Sequence, residues 1–517
     1  MSGKRALIRG TAILTITSFV TRFMGFFYRI FLGHTFGEEN VGLYQLVFPV
    51  YALGISFSSA GTELALSRCV AQENAAGHPE KAKELLKTGL IFTFVLSCIL
   101  TIFLQHNAHM TAISFLHDSR CEELLILLSY TFPFASIHSC ICGYSLGLKQ
   151  TKIPAVSQLF EQTFRILFVF LFCYYRTSHQ LELSISFAVV GLAMGEIFAS
   201  CYCLYSIHHT ASKQVQNLLS ASTFCIHLSR LFRHAFPLTA SRVLLNILQS
   251  IEAVSIPVFL QYSGMSSSLS LQVYGVLTGM ALPCILFPSA ITNAVSSMLL
   301  PTVAEIQEMK EKRRLQAIIS KIACSCIFLG CFCCIFLLIS GKWIGIFLFK
   351  SPLAGSFILT LSWICPFLYT NTVLLSMING LGKTTFSFII NFLSLCIRIA
   401  GVCLFIPIWG INGYLTGLLI SQIFLFLCCI LRLIIYIKTH SMFETFHTMC
   451  RSLSPCVRKE LPVAGPVDHL QCFQKHSDND RIHITFCYHS QQHQHYQFYS
   501  FSGIPPDHRI FQHIFKQ

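Results

Sequence analysis

Charge is what this sequence has least of. Only 11% of its 517 residues are Asp, Glu, Lys or Arg, against about 25% in an ordinary soluble domain. That shortage excludes a water-soluble globule of this size. Aspartate is rarer still, Asp118 being the only one before Lys438. No Walker-type glycine loop occurs, so ATP is not expected to drive the protein directly. No nucleophile, metal or nucleotide pattern argues for an enzyme or a bound cofactor.

What fills the space is apolar. Hydrophobic residues make up 54% of the chain, and the mean hydropathy is +0.63, which predicts an all-α polytopic membrane protein. Twelve apolar stretches of spanning length run approximately over 11–32, 41–62, 88–108, 122–147, 154–175, 184–206, 235–261, 273–300, 318–340, 354–379, 386–406 and 410–437. Lys4, Arg5 and Arg9 precede the first of them as in a signal peptide. That stretch is long enough to span, and no small-residue cleavage site closes it, so it reads as a retained helix.

The formal net charge of +14 would suggest nucleic acid in a soluble chain. Here the cations set topology instead. With the N-terminus inside, 18 Lys and Arg fall in cytoplasmic connections and 4 (Arg120, Arg176, Lys342, Lys350) in outer ones. Both termini are therefore expected in the cytoplasm. The charged connections 63–87 and 305–321 read as amphipathic cytoplasmic helices, their simplest role being to set topology.

Cysteine is abundant, but 20 of the 24 precede Lys438 and most lie in apolar segments, where Cys packs as a small hydrophobe. The pairs Cys140/Cys142, Cys201/Cys203 and Cys324/Cys326 stand two apart, on different helix faces, so no metal site is assigned to them. Residues 438–517 hold 10 of the 21 histidines and several prolines, and read as a poorly ordered polar tail. His489, His493 and His495 beside Cys487 have ligand chemistry, yet such biased tracts are common without a metal.

The chain repeats itself. Phe132-Pro133-Phe134 returns as Cys365-Pro366-Phe367, and Arg165 returns as Arg398, both at an offset of 233. Gly191-Leu192 through Glu196-Ile197-Phe198 returns as Gly417-Leu418 through Gln422-Ile423-Phe424. Six spans separate equivalent positions, an even number, so the halves share one orientation. This predicts two six-helix bundles, residues 1–234 and 235–437, related by a pseudo-two-fold axis along the membrane normal, with a cavity between them.

Charges inside spans are costly and mark function. Arg22, Arg29, Arg242 and Glu252 are the candidates for lining that cavity. Glu196, Glu161, Arg165 and Arg398 are candidates for ion coupling or for structural pairs, Glu161 and Arg165 being one turn apart. A cavity with more guanidinium than carboxylate suits an anion, phosphate above all.

The run Arg9-Gly10-Thr11, Val20-Thr21-Arg22-Phe23-Met24-Gly25-Phe26, Arg29 and Gly37-Glu38-Glu39-Asn40-Val41-Gly42-Leu43-Tyr44 resembles the start of the stage V sporulation protein B family. Leu66-Ser67-Arg68, the Gly143 to Lys149 turn and Glu161-Gln162-Thr163-Phe164-Arg165 resemble it too, over approximately residues 5–437. That family sits in the multidrug/oligosaccharidyl-lipid/polysaccharide (MOP) superfamily, with the lipid II and polysaccharide flippases and the MATE transporters. The resemblance implies a MATE-like pair of bundles in the cytoplasmic membrane. These would flip a polyprenyl-pyrophosphate-linked oligosaccharide by alternating access, in cell-wall, spore-cortex or polysaccharide biogenesis. It makes Arg22 and Arg29 counterparts of cavity arginines. The expected partners are that lipid-linked sugar, membrane lipids and H+ or Na+ as coupling ion. The alternative is a cation-coupled multidrug antiporter of the same superfamily, whose carboxylates would be Glu252 and Glu196.

Overall fold

The computed structural model describes residues 2–210, 221–308, 312–452, 470–478, 481–489 and 496–504. They divide into two units, Met1–Ile437 and Lys438–Gln517.

The first unit is helical throughout its described residues. In lipid an apolar run can satisfy its backbone only within itself, and that dictates helices here. Among the described residues nine helices are long and apolar enough to cross a membrane, and eleven if each bent pair is one span. The first of them, Ala12–Ala75, is 64 residues long. At 1.5 Å per residue that is roughly three times a hydrocarbon core of about 30 Å. Gly37, with φ 80°, breaks it beside Glu38 and Glu39, so it holds the two expected spans 11–32 and 41–62.

The repeat is visible in the bends. Cys121–Ser129 and Thr131–Gly147 meet at 42°, and Pro352–Ser362 and Cys365–Gly380 meet at 58°. Pro133 and Pro366 stand just after the two breaks, where a missing N–H costs nothing. Pro288 lies in a third break, between Leu282–Leu286 and Ser289–Glu308, within the expected span 273–300. The connection 63–87 is not a separate surface helix: Gly61–Ala75 and Pro79–His106 turn about Gly77 and run on into the spans.

Large apolar side chains such as Phe328, Ile339, Phe347 and Ile408 point outward, as lipid-facing residues must. Inside, Tyr28, Leu32, Tyr44, Leu277, Met280 and Tyr369 belong to one cluster that draws on both halves. At the Glu38/Glu39 end the halves approach to backbone contact. A Cβ on Gly42 would overlap the Leu271 carbonyl oxygen, and one on Gly275 would overlap that of Glu38. Only glycine permits that spacing.

The second unit, expected to lack fixed structure, contains an antiparallel meander. Strands β1 (Leu470–Asp478), β2 (Arg481–His489) and β3 (Tyr496–Ile504) pair in the order β1-β2-β3. The period-two pattern of Ile482, Ile484, Phe486 and Tyr488 was the sequence signal for β2. His493 and His495 lie outside the described residues.

Candidate functional site

Two pockets share Asn293 and Ser297, the smaller lined by both halves and the larger by the second half. The smaller, about 200 Å³, is lined by Leu14, Thr15, Ser18, Phe19 and Arg22 from the first helix, and by Ala290 and Ala294 beside the shared pair. Arg22 is exposed there and has no salt-bridge partner among the described residues. The larger, about 320 Å³, is lined by Ser296, Thr372, Leu375, Ser376 and Asn379. Its polar groups are hydroxyls and amides without a formal charge, set in a lining that is otherwise apolar and includes Leu375. Among the described residues, the Asn379 side-chain oxygen has no hydrogen-bond partner.

The other predicted cavity residues are placed differently. Arg29 donates through Nη1 to the Thr278 carbonyl oxygen at 3.3 Å, a contact between the halves. Arg242 is exposed on the helix Ala221–Tyr262 and acts electrostatically on Glu63. It lines neither pocket. Glu252, 3% exposed, lines neither pocket either. Its Oε1 accepts from Arg398 Nε at 2.8 Å and Nη2 at 2.6 Å, and from the Tyr414 hydroxyl at 3.1 Å. An unpaired carboxylate at that depth would cost several kcal/mol, so burial and pairing go together.

The remaining candidates form a second polar centre, within the first half. Arg165 and Glu161 form the intrahelical ion pair that their spacing predicts. Glu196 accepts from the Tyr51 hydroxyl through Oε1 at 3.1 Å and pairs through Oε2 with His138 Nδ1 at 3.1 Å. His138, Glu161 and Glu196 lie within ligand distance of one another. Nearby, the Ser139 hydroxyl donates to Glu63 Oε2 at 3.0 Å.

Sequence reasoning passed over His138, Asn293 and Asn379. The repeat held a signal for the first: at the offset of 233, His138 falls on Asn371, which donates to Gln422 Oε1 at 3.0 Å just as His138 meets Glu196. It also separated Cys142 from Cys203, which the fold brings together.

A family model described as polysaccharide biosynthesis protein matches residues 7–307. Stage V sporulation protein B of Bacillus subtilis (strain 168) is 29% identical over 310 residues, 60% of this chain and 60% of that protein. Among solved structures, the lipid II flippase MurJ in an inward closed conformation superposes with a TM-score of 0.65 at 13% identity, covering 86% of this chain and 93% of that one. A multidrug resistance MATE family transporter of the MOP superfamily, inward-facing, superposes at 0.64 with 14% identity, covering 82% and 98%. At such identities the superpositions carry the fold: the two-lobe, multi-pass architecture shared by MATE and MurJ.

Proposed function

Given that this chain belongs to the polysaccharide biosynthesis protein family, we propose that it flips a polyprenyl-pyrophosphate-linked oligosaccharide across the bacterial cytoplasmic membrane by alternating access. One observation carries the reading. Arg22, without an acidic partner among the described residues, lines a pocket that shares Asn293 and Ser297 with one whose polar groups come from Asn, Ser and Thr. A guanidinium grips phosphate in a fork, and neutral hydroxyls and amides suit sugar. The lipid chain would stay in the bilayer.

Both termini are assigned to the cytoplasm from the cation distribution. The pockets then lie toward the cytoplasm and the glycine contact of Gly42 and Gly275 closes the outer end, so this is an inward-open arrangement. Return of the empty carrier draws on the inside-negative potential acting on Arg22, worth about 2.3 kcal/mol per charge per 100 mV.

The multidrug antiporter reading needs a carboxylate facing the cation, and neither pocket has one. Glu252 and Glu196 are committed to Arg398, Tyr414, Tyr51 and His138. The test is reconstitution in liposomes with labelled lipid II beside a cationic dye. Lipid II should be moved and the dye not. Arg22→Ala should abolish the movement with insertion intact. Dye transport, or unchanged flipping by Arg22→Ala, would overturn the proposal.

A further inference from the structure

His138 and Cys142 stand one turn apart on the helix Thr131–Gly147, and Cys203 reaches them from the helix Ser186–Thr210. The ring nitrogen and two sulfurs lie within 4.8 Å of one another. In a tetrahedral zinc site, with Zn–S near 2.3 Å, neighbouring donors are about 3.5–3.8 Å apart. Small rotamer adjustments therefore close this cluster on an ion. The thiols are buried, Cys203 completely and Cys142 at 8% exposure.

The histidine is oriented for the task. Its Nδ1 faces the Glu196 carboxylate, and its Nε2 faces the Ser157 hydroxyl at 3.0 Å, which in turn is 3.6 Å from Cys142 Sγ. A carboxylate on the far ring nitrogen fixes tautomer and ring plane, as it does behind metal-bound histidines. Charge balance selects the metal. Binding releases one proton from each thiol, and Zn2+ with two thiolates and a neutral imidazole adds no net charge beside the Glu196 carboxylate, which the His138 Nδ1 faces. Only a neutral unit is cheap to bury at this depth, whereas Cu+ would leave a net negative charge. The repeat partners are Asn371, Leu375 and Cys429, a set that cannot reproduce the site.

We propose that His138, Cys142 and Cys203 bind one zinc ion, with the Ser157 hydroxyl or a water as fourth ligand, stapling two helices of the first half. The test uses the full-length chain, purified in detergent and stripped with a chelator. Co2+ is titrated in, and thiolate-to-metal charge-transfer absorption is followed. One equivalent should produce the band, and added Zn2+ should bleach it. Cys142→Ser/Cys203→Ser should lose it while remaining monodisperse on size exclusion. Cys472→Ser/Cys487→Ser, in the second unit, should keep it. Glu196→Gln should weaken Co2+ binding about 10–100-fold. A monodisperse wild type without the band would overturn the site, as would a band that survives Cys142→Ser/Cys203→Ser. Unchanged affinity in Glu196→Gln would overturn the orienting role of the carboxylate.

Discussion

In the first half of the membrane unit, His138 and Glu196 meet between two helices, and Ser139 donates to Glu63. At the corresponding places in the second half, Asn371 donates to Gln422, and Ser296 donates to the Thr372 carbonyl oxygen. The frame is the same, down to the bends at Pro133 and Pro366. Every ionisable member of these pairs has become an amide or a hydroxyl. The second half thereby gains neutral polar groups at low desolvation cost, of which Ser296 and Thr372 line the larger pocket. The first half keeps Glu161, Arg165, Glu196 and His138 fixed against one another, away from both pockets, while its Arg22 lines the smaller one. One buried ion pair, Glu252 with Arg398, interrupts the neutrality of the second half. Breaking it gives the largest expected effect. Arg398→Met strands the Glu252 carboxylate and should cost about 3–5 kcal/mol, while Glu252→Leu/Arg398→Met should return to near wild type. Thermal unfolding in detergent reads both. Equal losses for the single and double variants would refute the ion pair as the reason.

Much of this comparison was legible in the sequence. Period and composition gave twelve spans, and the offset of 233 linked Pro133 to Pro366 and Arg165 to Arg398. Spacing also predicted the Glu161–Arg165 pair, because residues one turn apart must be neighbours. Partners across helices were not legible. Glu252 and Arg398 are 146 positions apart, and nothing local in either helix names the other. The same blindness hid Cys203 from Cys142 and assigned Glu252 to the cavity. In the pockets, Arg22 stood out because charge in a span is rare. Asn293 and Asn379 did not, since single amides in apolar helices carry no periodic signal.

Gly42 touches the Leu271 carbonyl, whereas a Cβ on Gly25, in the same long helix, would meet nothing within 4 Å. Gly42→Val should force the halves apart at the Glu38/Glu39 end and cost about 1–3 kcal/mol. It should also raise amide exchange in the helix Ser267–Gly275. Gly25→Ala should change either by less than about 0.5 kcal/mol. Similar behaviour of the two variants would mean that the close approach does not hold the ends together.

A smaller effect tests whether the halves are interchangeable. Glu196→Ala removes the acceptor of Tyr51 and His138 and should cost about 1–3 kcal/mol in unmet hydrogen bonds. Installing the second half's chemistry, His138→Asn/Glu196→Gln, restores a mutually bonded pair. Measured in chelator, so that no metal contributes, that double variant should lie within about 1 kcal/mol of wild type. A double variant as unstable as Glu196→Ala would show that the charged pair is required by its surroundings and is not merely one of two equivalent solutions.

The smallest expected effect is at the surface of the glycine-packed end. Arg120 donates to Glu39 Oε1 at 2.7 Å and to Asp118 Oδ2 at 2.8 Å. Glu39 also accepts from the Ser268 hydroxyl at 2.6 Å, and Glu38 from Gln272 Nε2 at 2.6 Å. Arg120 thus holds a carboxylate that bridges the halves, but its side chain is 46% exposed and that of Glu39 34%. Exposed pairs contribute about 0.2–1 kcal/mol and are screened by salt. Raising NaCl from low ionic strength to about 1 M, where the Debye length falls to about 3 Å, should lower the melting temperature of the wild type slightly. Arg120→Gln should start lower and show a flatter salt response. Parallel salt curves for the two proteins would place the closure of this end on the Gly42 and Gly275 contacts and the hydrogen bonds from Ser268 and Gln272.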